Sequence, residues 1–568
     1  MTGSSARPGP VWLRGPLSRT VALLPRRADW AHARPGRDLT AGLMVGLVAL
    51  PLALGFGVSS GMGAGAGLIT AIVAGGLAAV FGGSRVQVSG PTGAMTVVLV
   101  PIIAVYGADG VLVVGLLAGL ILIGLGYAGA GRFIRYVPIP VVEGFTVGIA
   151  LIIGLQQLPA ALGVQVHAEK VLVLAVRAVC AWLADPVWIP VGMTLAVVVG
   201  ILTLARVRPS LPGSLIAVAA AAVANGVFNL GAVQIHSIPS ALPAPTLPTV
   251  PLADLDALVL PAIAVAALAA LESLLSATVA DAISVGQRHD SDRELVGQGL
   301  ANLGAPLFGG IPATAAIART AVNVRSGATS RLASVTHALV LLAVVLVAAR
   351  WVGEIPLAAL AGVLIATAVH MVRVSSLRAL LRATRGDAAV LAITAVATVV
   401  FDLVTAVLVG LVVAGFVALR QTALTARLDE MPLDEGDHFD EERALLDEHI
   451  VCYRIDGPLF FAAAHDFLLE LAEVSDVRVV VLRMSRVTTI DATGAHVLAD
   501  TIAQLEGRGI TVLLSGVQAH HERVLRELGV HDGLAHERHL FVHTPEAIAH
   551  ARVHASRVAH APPGSTTS

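Results

Sequence analysis

Phe81-Gly82-Gly83 leads into Ser89-Gly90-Pro91-Thr92-Gly93-Ala94, and Phe308-Gly309-Gly310 leads into Ile311-Pro312-Ala313-Thr314-Ala315-Ala316. Each stretch has glycine-rich backbone, then a proline suited to the first turn of a helix, then small and hydroxylic residues. The helix predicted over 91–106 spans about 24 Å, too short to cross a hydrocarbon core of about 30 Å. The second, predicted over 312–325, carries Arg319 inside it. Irregular backbone at membrane depth survives only where it lines a cavity. A simple Gly-Pro kink would explain one such site, but two matched ones point to a pair of half-helices.

Working outward, the rest of the chain is apolar. Of 568 residues, 56% are hydrophobic and 13% charged, against about 25% charged in a soluble domain. That deficit excludes a disordered protein, a nucleic-acid binder and an ordinary cytosolic enzyme. The net charge of −2 names no partner, and Cys180 and Cys452 fall in different compartments, so no disulfide framework is expected. Membrane spans are predicted near 39–57, 62–82, 91–106, 109–130, 138–158, 187–206, 212–230, 257–284, 293–307, 312–325, 331–350, 355–372, 388–401 and 402–419, fourteen in all. The amphipathic stretch 168–184 reads as interfacial.

Arginine placement sets the orientation. The loop 231–256 has no Lys or Arg, whereas Arg132, Arg135, Arg206, Arg208, Arg288, Arg293, Arg325, Arg331, Arg373, Arg378, Arg382 and Arg385 fall in alternate loops. By the positive-inside rule both termini are cytoplasmic. The domain plan is an Arg-rich cytoplasmic tail (1–38), a transmembrane domain (39–420), an acidic linker (421–448), a cytoplasmic α/β domain (449–555) and a disordered tail (556–568). Arg26-Arg27 is followed by no apolar segment directly, so no cleaved signal peptide is expected.

With seven spans in each half, the two interruptions are the third and the tenth, the pattern of an inverted repeat whose broken helices meet at the midplane. Two helix N-termini facing one cavity offer unpaired N–H groups and about +0.5 charge each, a site that prefers anions. Glu272 lies in the apolar run 258–283. A charge at the bilayer centre costs about 2.5–3.5 kcal/mol on insertion scales, so it needs a partner or a proton. Ser276, four residues on, shares its helix face. Glu272 with Ser276 is therefore the candidate proton-coupling pair; a structural Glu272–Arg319 ion pair is the alternative, and the two roles can coexist.

Other features carry less. Gly42-x-x-x-Gly46, Gly61-x-x-x-Gly65 and Gly115-x-x-x-Gly119 are expected to be helix-packing surfaces. Glu143 and Asp402 near helix ends are expected to snorkel or cap. His520, His521, His536, His539 and His543 lack a recognised metal spacing, so no metal and no cofactor is expected.

Leu271-Glu272-Ser273-Leu274-Leu275-Ser276, Arg288-His289, the run Glu294 to Gly299 and the run Phe308 to Arg319 together resemble the SulP (sulfate permease) family of anion transporters. Ser89-Gly90-Pro91-Thr92 is similar to that family's third-helix motif. Gly457-Pro458-Leu459-Phe460-Phe461 and Ile490-Asp491-Ala492-Thr493-Gly494 resemble its C-terminal STAS domain. The resemblance covers about residues 39–550, and within the family the chain looks like the bacterial C4-dicarboxylic acid transporter branch. It implies a fourteen-span, seven-plus-seven inverted repeat with a core domain and a gate domain, a homodimer, and elevator-like alternating access. The expected substrate-binding set is Phe56, Pro91, Thr92, Gly93, Ala94, Ala313, Thr314, Ala315, Ala316 and Arg319. Glu272 and Ser276 stand where the sodium-coupled bicarbonate branch usually has Asp and Thr, which favours protons over sodium.

Asp491 and Thr493 are the expected regulatory residues of the STAS domain, with Thr493 either a phosphoacceptor or the N-cap of the following helix and a cytosolic protein as possible partner. The expected function is proton-coupled uptake of a small anion, sulfate or a C4-dicarboxylate such as fumarate or succinate, across the cell membrane. The alternatives are a bicarbonate transporter, a passive anion channel, or a membrane anion sensor signalling through STAS.

Overall fold

The computed structural model describes residues 23–559 apart from 32, 169, 209–210, 236–237, 250–254, 285–287, 402, 425–426, 431–444, 446–447, 460–476, 532–533, 535 and 537–538. Most of the acidic linker, Asp402 and the Phe460-Phe461 end of the first STAS motif therefore lie outside the described residues, as do the ends of both tails. The chain divides into two units, Met1–Val412 and Val413–Ser568.

The first unit is helical: α1 (Pro35–Ser59), α2 (Ala64–Phe81), α3 (Gly93–Tyr127), α4 (Ile139–Gln156), α5 (Val171–Ala184), α6 (Trp188–Val207), α7 (Gly213–Val227), α8 (Leu255–Ile283), α9 (Ser291–Leu307), α10 (Ile317–Arg325), α11 (Arg331–Gly353), α12 (Leu357–Met371), α13 (Val374–Ala383), α14 (Arg385–Val400) and α15 (Leu403–Leu424), whose last turns run into the second unit. Among the described residues, eight helical stretches are long and apolar enough to cross a bilayer. Further helices, α7, α9, α14 and α15 among them, lie at others of the fourteen expected spans. The expected third and fourth spans run on as α3, 35 residues long and broken only where Gly107 takes φ +67°. The tenth is reduced to the nine residues of α10, because Pro312–Ala316 are not helical. The stretch read as interfacial forms α5, with Leu172, Val176 and Leu183 exposed on it.

Two bundles emerge from the packing. Helices α1, α2, α3, α8, α9, α10 and α11 pack on one another, and α4, α6, α7, α12 and α14 form a second group joined to the first mainly through α1 and α12. Glycine sets the close approaches. A Cβ at Gly42 of α1 would lie 2.4 Å from the Ala333 carbonyl oxygen of α11. One at Gly119 of α3 would lie 2.8 Å from the Gly299 carbonyl of α9. Gly61 differs from the expectation: it sits in the loop after α1 at φ +85°, where a Cβ would lie 3.3 Å from Ile103 Cδ1 of α3. Glu143 is also no snorkelling residue. It is buried, and accepts hydrogen bonds from Arg373 Nη2 at 2.6 Å and Ser376 Oγ at 3.0 Å.

The second unit is an α/β domain built on a five-stranded sheet, β3 (Arg427–Glu430), β4 (Ile450–Leu459), β5 (Val479–Ile490), β6 (Thr511–Ser515) and β7 (Leu540–Phe541), in that spatial order. Only the β3–β4 pairing is antiparallel. Helices α16 (Ala492–Gly507), α17 (Ala519–Glu527) and α18 (Thr544–Ala559) complete it. Strand β5 shows why both faces need cover. Val480 and Leu482 join Leu498 and Ile502 of α16 in one core, while Val479 and Val481 join Ala547, Ile548 and Ala551 of α18 in another. A mostly parallel sheet buried on both faces reads as a continuous apolar run.

Candidate functional site

The two interrupted stretches meet. Ser89–Gly90 forms strand β1 and Thr314–Ala315 forms β2, paired antiparallel with Ser89 opposite Ala315 and Gly90 opposite Thr314. This two-stranded crossing places the starts of α3 and α10 side by side. First-turn N–H groups of a helix have no intrahelical acceptor, so both sets gather at one place. Thr92 N-caps α3, its Oγ1 accepting from Met95 N at 3.4 Å. No side chain caps α10.

Glu272 reaches this crossing from α8. Thr92 Oγ1 donates to Glu272 Oε2 at 2.9 Å, and the Thr314 hydroxyl donates to the same oxygen. The two hydroxyl oxygens are 3.3 Å apart. One carboxylate oxygen is thus held by a hydroxyl from each interrupted stretch.

Arg319 enters from α10 and is 2% exposed. Its Nη2 donates to the Pro91 carbonyl at 2.8 Å, while its Nη1 is buried without a hydrogen-bond partner. Gly90 leaves room for it, since a Cβ there would lie 2.6 Å from that Nη1. Among the described residues no ion pair joins Glu272 to Arg319: Nη2 is taken by the Pro91 carbonyl and Nη1 stays without a partner, so the direct pair expected as an alternative is not seen.

The remaining expected residues fall around this point. Ala94, Ala313, Thr314 and Ala315 are almost fully buried, as are Pro91 and Gly93, and Ala316 is half-buried. A Cβ at Gly93 would lie 2.1 Å from Ile153 Cδ1 and 3.1 Å from Phe56 Cε1, so the Phe56 ring does border the start of α3. Ser276 lies elsewhere. Its hydroxyl pairs with Thr320 Oγ1 at 3.0 Å, and Thr320 Oγ1 accepts from Val88 N at 3.2 Å. It ties α8 to α10, whereas Ser273 Oγ, accepting from Ala315 N at 3.1 Å, is the hydroxyl that fixes β2.

Sequence reading missed the scaffold beneath the crossing. Glu294, Gln298 and Asn302 lie four residues apart on α9, all buried. Glu294 accepts from Gly83 N, Ser84 N, Gln87 Nε2 and Gln298 Nε2 at 2.8–3.1 Å. Gln298 Nε2 also reaches Ser89 Oγ at 2.6 Å. Asn302 donates to the Ala313 carbonyl at 2.9 Å and accepts from Ala313 N at 2.8 Å. Together they satisfy the backbone of both irregular stretches, as buried polar groups require. The signal was present: three polar residues at i, i+4, i+8 on one face of an intramembrane helix. A hollow of about 700 Å³ between α6 and α7, by contrast, is lined by apolar side chains such as Trp188 and Leu204 and includes none of these residues.

In the α/β unit Asp491, not Thr493, is the N-cap of α16, with Oδ1 accepting from Gly494 N at 2.7 Å. Thr493 falls in that helix's first turn. His539, His550 and His554 come together although the sequence motifs did not pair them; the i,i+4 spacing of His550 and His554 was the readable part of that signal.

Comparison with known proteins identifies both parts of the chain. Residues 36–394 match the sulfate permease family and residues 444–547 match the STAS domain. The chain is 35% identical to the "Putative sulfate transporter YvdB" of Bacillus subtilis over 90% of this chain and 96% of that protein. It is 31% identical to the bicarbonate transporter BicA of Synechocystis over 73% and 75% of the two chains. The structure superposes on the murine Solute Carrier 26 family member A9 anion transporter, in its inward-facing state, with a TM-score of 0.81 at 18% identity, covering 97% and 96% of the chains. It matches the transmembrane domain of a cyanobacterial BicA at 0.59 and 30% identity, covering 67% of this chain and 98% of that one. A multi-pass arrangement of apolar helices, a paired half-helix crossing and a terminal α/β domain thus converge on one assignment: the chain belongs to the sulfate permease family of anion transporters and carries a STAS domain at its C-terminal end.

Proposed function

We propose that the chain takes up a small anion together with a proton, binding the anion at the crossing of β1 and β2 and the proton at Glu272. The observation that carries this reading is the Glu272 carboxylate oxygen, held by Thr92 and Thr314 at the N-terminal ends of α3 and α10. A carboxylate there occupies the place where hydroxyls and helix dipoles favour negative charge. A second anion arriving beside it meets repulsion within a poorly solvated site, where charges act on each other more strongly than in water. Protonating Glu272 removes that repulsion, so anion and proton load together. Arg319 Nη1 supplies the free charged donor that a tetrahedral or planar oxyanion needs.

Sulfate or a C4-dicarboxylate is the proposed substrate, with α3, α8 and α10 moving as part of one bundle against the other in an elevator-like cycle and two chains forming a homodimer in the cell membrane. Both termini and the STAS domain face the cytoplasm in this reading, as the arginine-free 231–256 loop supports. Bicarbonate is the second reading, favoured by the 31% identity to the Synechocystis bicarbonate transporter. Thr493 is proposed as the point through which a cytosolic partner or a phosphoryl group acts on the STAS domain.

The test is uptake of labelled sulfate, fumarate, succinate and bicarbonate into proteoliposomes, with and without an imposed pH gradient at zero membrane potential. One substrate should accumulate, faster with the external side acid. Unchanged uptake under the gradient removes proton coupling, and unitary currents without accumulation convert the reading to a channel.

A further inference from the structure

The STAS domain holds a cluster of imidazoles that anion transport does not use. His539 stands at the start of β7, and His550 and His554 lie one turn apart on α18. Ring centroids are 5.6 Å apart for His539 and His550, 5.1 Å for His539 and His554, and 4.9 Å for His550 and His554. One ring nitrogen from each lies within 4.8 Å of the others. His539 is 2% exposed, and its Nδ1 is buried with no hydrogen-bond partner. A buried polar atom normally has a partner, so this nitrogen lacks something the cluster could supply.

We propose that His539, His550 and His554 bind one divalent transition-metal ion of the zinc class. Imidazole nitrogen suits zinc, copper, nickel and iron, and selects against magnesium and calcium, which want oxygen. A tetrahedral ion with bonds of about 2.0–2.1 Å holds its nitrogens about 3.3 Å apart, which small side-chain rotations reach from the separations here. The backbone is fixed for the purpose, because Ala547, Ile548, Ala551 and Ala555 of α18 pack against the sheet and leave the His550–His554 edge turned to β7. Burial, and next the nearby His554, His550 and His536, hold the His539 pKa down to about 4. His536, exposed to solvent, has its ring centroid 6.0 Å from that of His539.

The full-length chain, purified in detergent through a tag that contains no histidine, is titrated with Zn²⁺ against a chromophoric chelator. One Zn²⁺ per chain is expected. The His550→Ala/His554→Ala variant should lose affinity by about 100-fold or more, whereas His520→Ala/His521→Ala should bind as the unaltered chain does. X-ray absorption of the zinc-loaded unaltered chain checks the ligands independently of any folding defect, and should show at least three imidazoles. Equal zinc affinity in the double variant, or a spectrum with fewer than two imidazoles, overturns the assignment. So does the absence of zinc binding by the unaltered chain.

Discussion

The two half-helices that meet at the crossing look alike in sequence and do different work. At the start of α3, Thr92 caps its own helix through Met95 N and also touches Glu272. At the start of α10, Thr314 lies upstream of an uncapped helix, and the charge comes from Arg319 in its first turn. The α3 side supplies shape, with Gly93 closed against Ile153 and Phe56. The α10 side supplies the cation. An inverted repeat therefore need not give a symmetric site: one half can be tuned for fit and the other for charge.

Breaking the charged half should have the largest effect. Arg319→Gln removes a buried charged donor, and hydrogen bonds to charged groups contribute about 1.5–3 kcal/mol; uptake at low substrate should fall about 10- to 100-fold. Arg319→Lys should rescue little, because a single ammonium nitrogen cannot sit on the Pro91 carbonyl and also place donors where the second guanidinium nitrogen stands. Recovery with lysine would show that charge alone suffices.

Next is the carboxylate. Glu272→Gln keeps an acceptor for Thr92 and Thr314 but cannot exchange a proton. Gradient-driven uptake should drop about 10-fold, while substrate exchange at equal pH stays within about 2-fold. Equal loss of both, measured in the same vesicles, would make Glu272 a structural residue.

The shape half should break more gently in charge terms but at a cost in folding. Thr92→Val loses a cap as well as a contact, so thermal unfolding in detergent should show about 1 kcal/mol of lost stability. Thr314→Val loses the contact to Glu272 but no cap, so it should cost less stability than Thr92→Val while also reducing transport. Similar stabilities for the two variants would erase the asymmetry. Deleting residues 449–568 should have the smallest effect on substrate affinity. If KM shifts several-fold in that truncated chain, the STAS domain contributes to the site itself.

Much of this was legible in sequence because membranes leave few options. Glycine, proline and hydroxylic residues in matched positions located both interrupted stretches, and Glu272 stood out against an apolar run. What stayed hidden was what converges from a distance. The Glu143–Arg373 contact joins residues far apart in the chain, and nothing in either neighbourhood announces it. Glu294, Gln298 and Asn302 were visible as a polar stripe, but their targets, the backbone of residues 83–84 and Ala313, appear only once the helices pack. Pro91 and Pro312 suggested equivalent helix starts; in the structure α3 begins two residues after its proline and α10 five after. Pairing of β1 with β2 sets that offset, and two-residue strands carry no periodicity to read.

Loading of anion and proton at one place is the central claim, and it is tested most directly by proton uptake on binding. Purified chain in weakly buffered detergent solution is mixed with sulfate or fumarate while the pH is recorded. About one proton should be taken up per anion bound, and the uptake should vanish in Glu272→Gln although the anion still binds. Binding without proton uptake in the unaltered chain, or the same uptake in the variant, would contradict it.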